Sequence, residues 1–489
     1  MSDKGSRVVV IGGGGAGLAC ALSLLDAYRA RGGTVGPGGL EVTVLESREQ
    51  LGGRIGSERH GGFSIETGPA TLQEGAAGLN ELIERVGLRE EQVFSAEQAS
   101  RRYLYRAGRL RRLPGKPTEV LFSDALSVAA RLRLVCEPLI VPKKPDADGT
   151  QPDESVAAFG RRRLGSHVTE ELLDPFLSGI FAGDIEKLSM RSALPRIWQM
   201  EAEHHSLFKA LRRRQAEAAS RVKAGGTPAA LPRLFGFRQG VGQLAAALGR
   251  SITEAGGVIR LSTSAQALLR RGGDRAGYEV VLGGDGGGER LAAEQVVLAL
   301  PPPDAATLAA TLSPELGRAY QAIPMASVVA ISLAWPREQV PHPLDGFGFL
   351  IPRREGLLLL GTLFMTSILP DYDQAPKGQV VLRALYGGAH HPDVVNLDDG
   401  ALLEQVRRDL KVTLGILTEP RFIHIQRWPR AIEQYLIGHS TRVAEIEARL
   451  AELPGLSATG AAFRGVSVPD VLRQGQELGS RLAAALPME

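Results

Sequence analysis

The stretch VVVIGGGGAGLACALSLL, residues 8–25, places an apolar run, a glycine cluster and a second apolar run in immediate succession. This order predicts a buried strand, a tight turn and a helix. Glycines at positions 12, 14 and 17 have G-x-G-x-x-G spacing. A side chain would block the turn at the first, an approaching pyrophosphate at the second, and helix–sheet packing at the third. The helix would direct its N-terminal amides at the phosphates. The predicted dinucleotide contacts are Gly12, Gly14, Gly15, Ala16 and Gly17.

An acidic residue ends the next predicted strand, EVTVLE (41–46). A carboxylate at this point of such a unit binds ribose hydroxyls, and an acid in place of Arg or Lys disfavours a 2′-phosphate. Glu46 is therefore expected to bind ribose, with Ser47 beside it, and the sequence disfavours NADP. The glycine-rich segment 31–40 predicts a loop inserted before this strand.

Composition limits the class of protein. A chain of 489 residues is long enough for two or three domains. Lys and Arg number 57 against 54 Asp and Glu, so the net charge of +3 argues against a dedicated nucleic-acid binder. The longest apolar run, 357–369, is too short to span a bilayer. The N-terminal residues have no leader pattern, so we expect a cytoplasmic protein.

The two cysteines, Cys20 and Cys136, lie far apart and form no Cys-x-x-Cys pair. This spacing disfavours disulfide redox chemistry and a structural zinc site, and both thiols are expected to be buried. The pairs His204–His205 and His390–His391 have no other ligand types with metal-site spacing around them, so no metal site is predicted.

Two segments that follow Glu46, SREQLGGRIGS (47–57) and GFSIETGPATL (62–72), resemble the flavin-side motif of the FAD-dependent amine oxidases. In that superfamily the motif wraps the pyrophosphate and the flavin, so the resemblance implies FAD rather than NAD. The contacts it implies are Gly52, Gly53, Arg54, Gly68, Pro69 and, on a later strand, Ala265.

The C-terminal segment SATGAAFRGVSVPDVLRQGQELGSRL supports the same cofactor. Pro469 stands at the predicted first position of a helix, whose N-terminus suits an anion or the negative charge of a reduced flavin. The superfamily returns its C-terminus to the flavin in this way. Covalently flavinylated members have a cysteine near the C-terminus that this chain lacks, so FAD is expected to be non-covalent. The implied contacts are Gly460, Gly465, Val466, Ser467 and Val468.

Blocks in the middle of the chain, including GIFAGDIEKLSM (179–190), DGFGFLIP (345–352) and LYGGAHHPD (385–393), resemble the oxygen-dependent protoporphyrinogen oxidases. The resemblance runs almost end to end. It implies an α/β fold, a discontinuous Rossmann-like FAD-binding domain with a mixed-sheet substrate domain and a helical membrane-binding domain. The implied segments are 1–93, 234–302 and 418–489 for the FAD-binding domain, 94–102, 193–233 and 303–417 for the substrate domain, and 103–192 for the helical domain.

The same resemblance implies an enzyme that oxidises protoporphyrinogen IX to protoporphyrin IX. Three two-electron steps would pass hydride to the flavin, with O2 as final acceptor and H2O2 as product, and no side chain is assigned a catalytic role. Arg102 matches the family's arginine for a substrate propionate, a pairing that can be bidentate. The implied wall of the tetrapyrrole pocket is Phe347, Gly348 and Leu350, with Leu344, Phe364 and Phe176 as further candidates.

The basic stretch RRYLYRAGRLRRLPGK (101–116) suits anionic lipid headgroups or an acidic substrate, although a solvated basic face has the same composition. The family resemblance implies peripheral association with the inner face of the cell membrane. It implies no nucleic-acid partner, and it allows a homodimer.

Three other functions stay open at this stage. Related bacterial flavoproteins oxidise coproporphyrinogen III to coproporphyrin III, and their motifs overlap with these. Coproporphyrinogen carries propionates where protoporphyrinogen carries vinyls, so the polarity of the pocket would determine which of the two binds. Another amine-oxidase-like enzyme, such as a carotenoid desaturase or a polyamine oxidase, is a broader alternative. A flavin-binding, membrane-associated scaffold without turnover is the non-enzymatic one.

Overall fold

The computed structural model describes residues 5–114, 127–143, 152–223, 232–272 and 276–488. The strands of these residues are β1 (Ser6–Ile11), β2 (Leu40–Leu45), β3 (Ser57–His60), β4 (Phe63–Glu66), β5 (Leu72–Gln73), β6 (Gln92–Phe94), β7 (Arg102–Arg106), β8 (Arg109–Arg112), β9 (Leu234–Phe237), β10 (Val258–Arg260), β11 (Thr263–Arg271), β12 (Gly277–Gly284), β13 (Arg290–Ala293), β14 (Gln295–Leu298), β15 (Met325–Pro336), β16 (Gly348–Leu350), β17 (Leu359–Phe364), β18 (Gln379–Gly387), β19 (Phe422–Glu433) and β20 (Leu456–Ala458).

The α-helices of the same residues are α1 (Gly15–Ala30), α2 (Leu79–Arg85), α3 (Val128–Val135), α4 (Val156–Arg163), α5 (Ser166–Val168), α6 (Asp174–Phe181), α7 (Met190–Ala193), α8 (Pro195–His204), α9 (Leu207–Lys223), α10 (Gly242–Glu254), α11 (Pro302–Ala309), α12 (Pro314–Gln321), α13 (Met365–Ile368), α14 (Asp399–Leu414), α15 (His439–Ala451) and α16 (Val468–Ala485).

A parallel sheet carries the glycine cluster. Its order is β10-β2-β1-β14-β20, and every pairing is parallel. Val8 and Val10 of β1 pack with α1, while Val9 and Ile11 face a second core, so the strand is an apolar run because both of its faces are covered. Strands from the beginning, middle and end of the chain meet in this sheet, as a discontinuous α/β domain requires.

A second sheet of seven strands has the order β19-β15-β18-β17-β16-β7-β8. Its pairings are antiparallel, except that β16 and β7 run parallel. On one face, Ile331 and Leu333 of β15 pack in a core with Val406 and Leu410 of α14. On the opposite face, Ala334 and its neighbours pack against the hairpin β3–β4. We call this opposite side the hairpin face; it brings the second sheet against the dinucleotide-binding part.

Strand pairing differs from the predicted segment boundaries in two places. β7 pairs with β16 and β8 pairs with β7, so both join the large sheet, although the prediction assigned residues 103–112 to the helical domain. β19 pairs with β15 over nearly its whole length, although the prediction assigned it to the FAD-binding domain. Local sequence cannot indicate which sheet a strand joins, because the partner's hydrogen bonds come from distant residues.

The helical region between β8 and β9 has its own small core, which includes Phe159, Leu177 and Phe181. Arg163 is fully buried there and donates to Glu201 Oε1 (2.7 Å) and Glu137 Oε1 (3.3 Å), so its charge is paired. No helix of the described residues is long and apolar enough to cross a membrane.

Two local predictions were wrong. Cys20 is buried, as predicted, but Cys136 is exposed because it follows the outward-facing end of α3. The polar composition of residues 216–233, with Pro and Gly, predicts a mobile linker, yet α9 continues to Lys223, since its Ala-rich and Arg-rich residues favour a helix. The described residues do not include 224–231 of that segment, 144–151 of the Pro- and Asp-rich segment 141–154, or 115–116 at the end of the basic stretch.

Candidate active site

The glycines of the first turn have three different surroundings. Gly12 has φ +114°, and a Cβ there would lie 2.4 Å from Ala299 O. A Cβ at Gly17 would lie 2.0 Å from Gly12 O. A Cβ at Gly14 would meet nothing closer than 3.9 Å, at Gly52 O and Gly53 Cα. The first and third glycines are therefore needed by the chain itself, whereas the second faces space that a phosphate group can enter.

The N-terminus of α1 points into that space. No side chain caps it, and its first turn carries no acidic residue. Gly15 and Ala16 are buried, and their N–H groups donate to no acceptor among the described residues. Buried backbone donors without a partner are rare in proteins, and the positive end of the helix favours an anion. This helix end therefore fits a pyrophosphate.

Glu46 stands at the end of β2 with its carboxylate fixed. Gly13 N–H donates to Oε2 (2.9 Å), and Arg48 N–H donates to Oε1 (3.0 Å), while Ser47 O–H approaches the same oxygen at 3.4 Å. A carboxylate has about four acceptor sites, so it can still accept from ribose hydroxyls. Thr263 N–H donates to Glu46 O (2.9 Å), which places the start of β11, and with it Ala265, beside the same end of the site.

The second glycine turn lies directly against the first. Gly52 N–H donates to Gly13 O (2.8 Å), and Gly14 and Gly52 form an isolated β-bridge. A Cβ at Gly68 would lie 1.6 Å from Arg54 O, so the segment with Gly68 and Pro69 packs onto this turn with no room for a side chain. The two motifs that are separated in sequence thus form one surface.

The side chain of Arg54 has a protein partner. Its guanidinium donates to both oxygens of Glu433, with Nη1 to Oε2 at 2.9 Å and Nη2 to Oε1 at 3.0 Å. Glu433 is buried at the end of β19. The predicted cofactor contact of Arg54 stays a prediction, while the structure assigns its side chain to an ion pair between the two sheets.

The last helix, α16, packs tightly on α1. A Cβ at Gly475 would lie 2.3 Å from Ala16 O, and one at Gly479 would lie 2.3 Å from Cys20 O, so the two glycines permit close contact. The Cβ direction of Gly460 has Ala16 Cβ as its nearest neighbour, at 4.0 Å. The C-terminal turn therefore lies at the N-terminus of α1, where the other predicted cofactor contacts converge.

The side chains of Tyr435 and His439 contact the backbone of this C-terminal turn. Tyr435 O–H donates to Ala461 O (2.6 Å), and its ring stacks on His439 at 3.9 Å between centroids. Burial lowers the pKa of His439 to about 4, so its ring is neutral near pH 7, and Nε2 lies 3.3 Å from Phe463 O. The turn is thus fixed by a buried neutral pair rather than by charge.

The N-terminus of α16 is already capped. Ser467 Oγ accepts from Asp470 N–H (3.3 Å) and donates to Asp470 Oδ2 (2.6 Å). The negative carboxylate of Asp470 therefore offsets the partial charge of the helix end. Contacts from the backbone of Gly465, Val466 and Val468 stay predictions, but the structure does not favour a purely electrostatic role for this helix.

Part of the predicted substrate site lies on the hairpin face of the large sheet. Arg102 and Gly348 are in register across β7 and β16, so both belong to one face, and Leu350 follows two residues later. The Arg102 guanidinium lies over the ring of Phe347, 4.9 Å from its centroid. No carboxylate of the described residues lies within 4.0 Å of it. Arg102 is therefore a cation with an aromatic neighbour and room for an anionic ligand.

The other three predicted pocket residues are distributed differently. Leu344 and Phe364 are buried in the core between the sheet and α14, which is the face opposite to Leu350. Phe176 lies on α6 and is 43% exposed. The structure does not bring Leu344 or Phe364 to the face that carries Arg102, since neighbouring residues of a strand point to opposite sides. Glycine at 179 lets α6 approach Leu350, whose Cδ2 would lie 3.3 Å from a Cβ at that position.

Sequence reasoning missed a polar group on the hairpin face. Arg383 of β18 is 5% exposed; its Nη2 donates to Thr67 O (3.4 Å), as does Trp428 Nε1 (2.8 Å). Glu66 is buried beside it, and burial raises the pKa of Glu66 to about 7, against hydrogen bonds from Ser57 and Val241. The only sequence signal was an acid inside the apolar strand FSIE. These contacts dock the segment before Gly68 onto the large sheet.

Comparison with known proteins agrees with this geometry. The model of the family "Flavin containing amine oxidoreductase" matches residues 16–478. A coproporphyrinogen III oxidase of Bacillus subtilis (strain 168) is 29% identical over 97% of this chain and 97% of its own. A chloroplastic protoporphyrinogen oxidase of Oryza sativa subsp. japonica is 31% identical over 98% of this chain and 89% of its own.

Solved structures show the same fold. The crystal structure of a protein of Exiguobacterium sp. 255-15 superposes with a TM-score of 0.79 at 25% identity, covering 98% of this chain and 99% of that one. Cyclohexylamine oxidase of Brevibacterium oxydans IH-35A has a TM-score of 0.67 at 18% identity, with 98% and 99% covered, which supports the fold alone. The predicted oxidoreductase, its FAD and its mixed α/β fold are confirmed. The chain belongs to the flavin containing amine oxidoreductase family.

Proposed function

We propose that this flavoenzyme oxidises a porphyrinogen to the corresponding porphyrin, with protoporphyrinogen IX as substrate. The observation that carries the proposal is similarity over nearly the whole chain to proteins named for this oxidation, protoporphyrinogen oxidases of plants among them. Arg102 over Phe347 adds a cation at the edge of an apolar surface, as an apolar tetrapyrrole with propionates requires.

Bound FAD would supply the redox chemistry of the proposed reaction, a two-electron oxidation by hydride transfer with O2 as final acceptor and H2O2 as product. Three such two-electron steps remove six electrons and six hydrogens in all. The task of this chain is to orient the porphyrinogen and to exclude water. Phe347, Leu363 and Leu350 offer apolar side chains near Arg102 for that purpose.

Arg102 is the proposed anchor for a propionate. Burial lowers the pKa of its guanidinium somewhat, but an arginine stays charged at any pH at which the enzyme folds. A carboxylate that approaches this cation over the Phe347 ring would form charge-assisted hydrogen bonds in a partly desolvated place. The group orients the macrocycle and takes no part in bond breaking.

A second candidate substrate is coproporphyrinogen III. The Bacillus subtilis relative named for it has nearly the same length as this chain and aligns with 97% of both proteins. Coproporphyrinogen carries propionates where protoporphyrinogen carries vinyls, so it needs additional cations in the pocket. Arg353 and Arg354 lie three and four residues after the end of β16 and are the nearest cations in the sequence to the proposed wall, although Arg354 is already paired with Glu171 and Glu355.

Side-by-side oxidation of the two porphyrinogens tests the proposal. Purified enzyme is mixed anaerobically with each substrate, and bleaching of flavin absorbance is followed; porphyrin fluorescence and peroxide are then measured in air. Faster bleaching with protoporphyrinogen is expected, with about three peroxides per porphyrin. Preference for coproporphyrinogen would support the second candidate. Flavin that neither substrate bleaches would refute both and favour a scaffold or another amine-oxidase-like enzyme.

We further propose that the protein is cytoplasmic and docks on the inner face of the cell membrane. Val128, Leu132 and Val135 of α3 lie at i, i+4 and i+7 and are 67%, 63% and 56% exposed. Leu139 and Val141, which follow α3 in sequence, are also exposed, and Arg131 and Arg133 lie between the stripe's members in sequence. An exposed apolar stripe with basic flanks suits the headgroup region of an anionic bilayer. A homodimer remains compatible with this arrangement.

A further inference from the structure

A histidine stack joins the hairpin β3–β4 to the large sheet. His60 of β3 and His424 of β19 have ring centroids 5.3 Å apart and planes at 27°. Phe63 and Phe422 stack beside them at 4.4 Å. His60 and Phe63 are a cross-strand pair of the hairpin, and Phe422 and His424 share one face of β19. Both imidazoles are therefore held by packed strands.

A carboxylate completes the group. Glu58 Oε2 lies 2.8 Å from His60 Nε2 and 3.4 Å from His424 Nε2. All three donor atoms lie within 4.8 Å of one another. In a tetrahedral site with metal–ligand bonds near 2.0–2.1 Å, two ligand atoms are separated by about 3.3 Å. The two separations from Glu58 Oε2 are thus close to those around a bound ion, and the two imidazole nitrogens lie no more than 4.8 Å apart.

We propose that Glu58, His60 and His424 form a binding site for a divalent transition metal, with zinc as the fitting ion. Two imidazole nitrogens and one carboxylate oxygen are a common zinc ligand set, whereas Mg²⁺ and Ca²⁺ require mainly oxygen ligands. Glu58 and His60 are 41% and 50% exposed, so water can supply the fourth ligand and the ion can enter from solvent.

The proposed ligand set has one carboxylate and two imidazoles, so a bound dication leaves the site with a net positive charge. The ion would join a hairpin of the dinucleotide-binding part to β19 of the large sheet, so it would stabilise the contact between the two. Arg102 lies on the same face but on β7, which is separated from β19 by four strands.

Calorimetry on the intact flavoprotein tests this site. The enzyme is treated with EDTA, dialysed and titrated with ZnCl2. We expect one saturable site per chain in the wild type. Removal of a group that merely orients a metal ligand costs roughly 10- to 100-fold in affinity, so His60→Gln and Glu58→Gln should each weaken zinc binding at least tenfold.

His391→Gln is the matched control, since His391 is partly exposed but lies outside the group. It should bind zinc as the wild type does. Zinc should also raise the unfolding temperature of the wild type and of His391→Gln, and leave that of His60→Gln unchanged. The flavin spectrum of each variant verifies the fold. Absence of stoichiometric zinc binding to the wild type, or equal affinities of His60→Gln and His391→Gln, would overturn the proposal.

Discussion

Arg54 and Glu433 form a two-pronged ion pair that ties the second glycine turn to the end of β19, with Nη1 and Oε2 2.9 Å apart. Glu433 is 2% exposed, so its carboxylate has exchanged water for this guanidinium. The pair joins the turn that carries Gly52 and Gly53 to the large sheet, close to the residues predicted to hold the cofactor.

Arg54→Ala should destabilise the enzyme and weaken FAD binding. Loss of the guanidinium leaves the buried carboxylate of Glu433 uncompensated, which costs about 3 kcal/mol of unfolding free energy. Thermal unfolding and FAD release measure the two effects. The control is Arg430→Ala, because the exposed pair Arg430–Asp304 should contribute no more than about 1 kcal/mol. Equal stability of the two variants would contradict the assignment.

Gly14→Ala and Gly12→Ala should fail for different reasons. Gly14 has φ −79° and space around its Cβ direction, so Gly14→Ala should fold but bind FAD at least about tenfold more weakly, as its methyl enters the predicted pyrophosphate position. Gly12→Ala forces a clash with Ala299 O and should lose the fold. Titration of apoprotein with FAD and thermal unfolding separate the two outcomes. Normal FAD affinity in Gly14→Ala would count against the predicted phosphate position.

Arg102→Ala should raise KM for the porphyrinogen about tenfold or more while FAD content and kcat change little. The reason is that the guanidinium is proposed to bind a propionate and not the reacting carbon. Arg112→Ala is the matched control: Arg112 pairs with Tyr103 on the same ribbon, which puts it on the other face. Steady-state kinetics give KM and kcat for both variants. An unchanged KM in Arg102→Ala would remove Arg102 from the substrate site.

Stability should fall as the pH drops from 6.5 to 4, partly through His439. The pKa of His439 in the folded protein, about 4, lies below the ordinary 6.5. Between these values the unfolded chain binds a proton at this residue and the folded chain does not, so a falling pH favours unfolding. The loss amounts to roughly 3 kcal/mol at the lower end. His439→Phe should flatten the pH dependence of the unfolding temperature between pH 6.5 and 4. A variant with the wild-type slope would show that another group is responsible.

Leu132→Gln should weaken co-sedimentation with phosphatidylglycerol vesicles several-fold, since it removes one member of the exposed stripe on α3. Leu417→Gln is the control, because Leu417 is 76% exposed but lies beyond α14. Both variants should retain full activity towards soluble substrate. If Leu417→Gln lost vesicle binding to the same extent, the stripe would not be the docking surface.

Local sequence determined the glycine turn of the dinucleotide-binding unit and the acidic residue at the end of its second strand. Gly12, Gly17 and Glu46 lie within one βαβ unit, where hydrophobic period and steric limits act over a few residues, so their arrangement could be predicted. The same periodicity predicts a helix over about 398–415 and a last helix from about Pro469, and the structure has them at Asp399–Leu414 and Val468–Ala485. The family resemblance then supplied FAD and the oxidoreductase class, which the comparisons confirm.

Only the tertiary structure decided how distant segments meet. It paired Arg54 with Glu433, set His60 against His424, and separated Phe364 from Arg102 by the thickness of a sheet. These relationships depend on strand order and register, where a shift of one residue turns a side chain to the other face. Such information resides in hydrogen bonds between residues hundreds of positions apart, so no local pattern contains it.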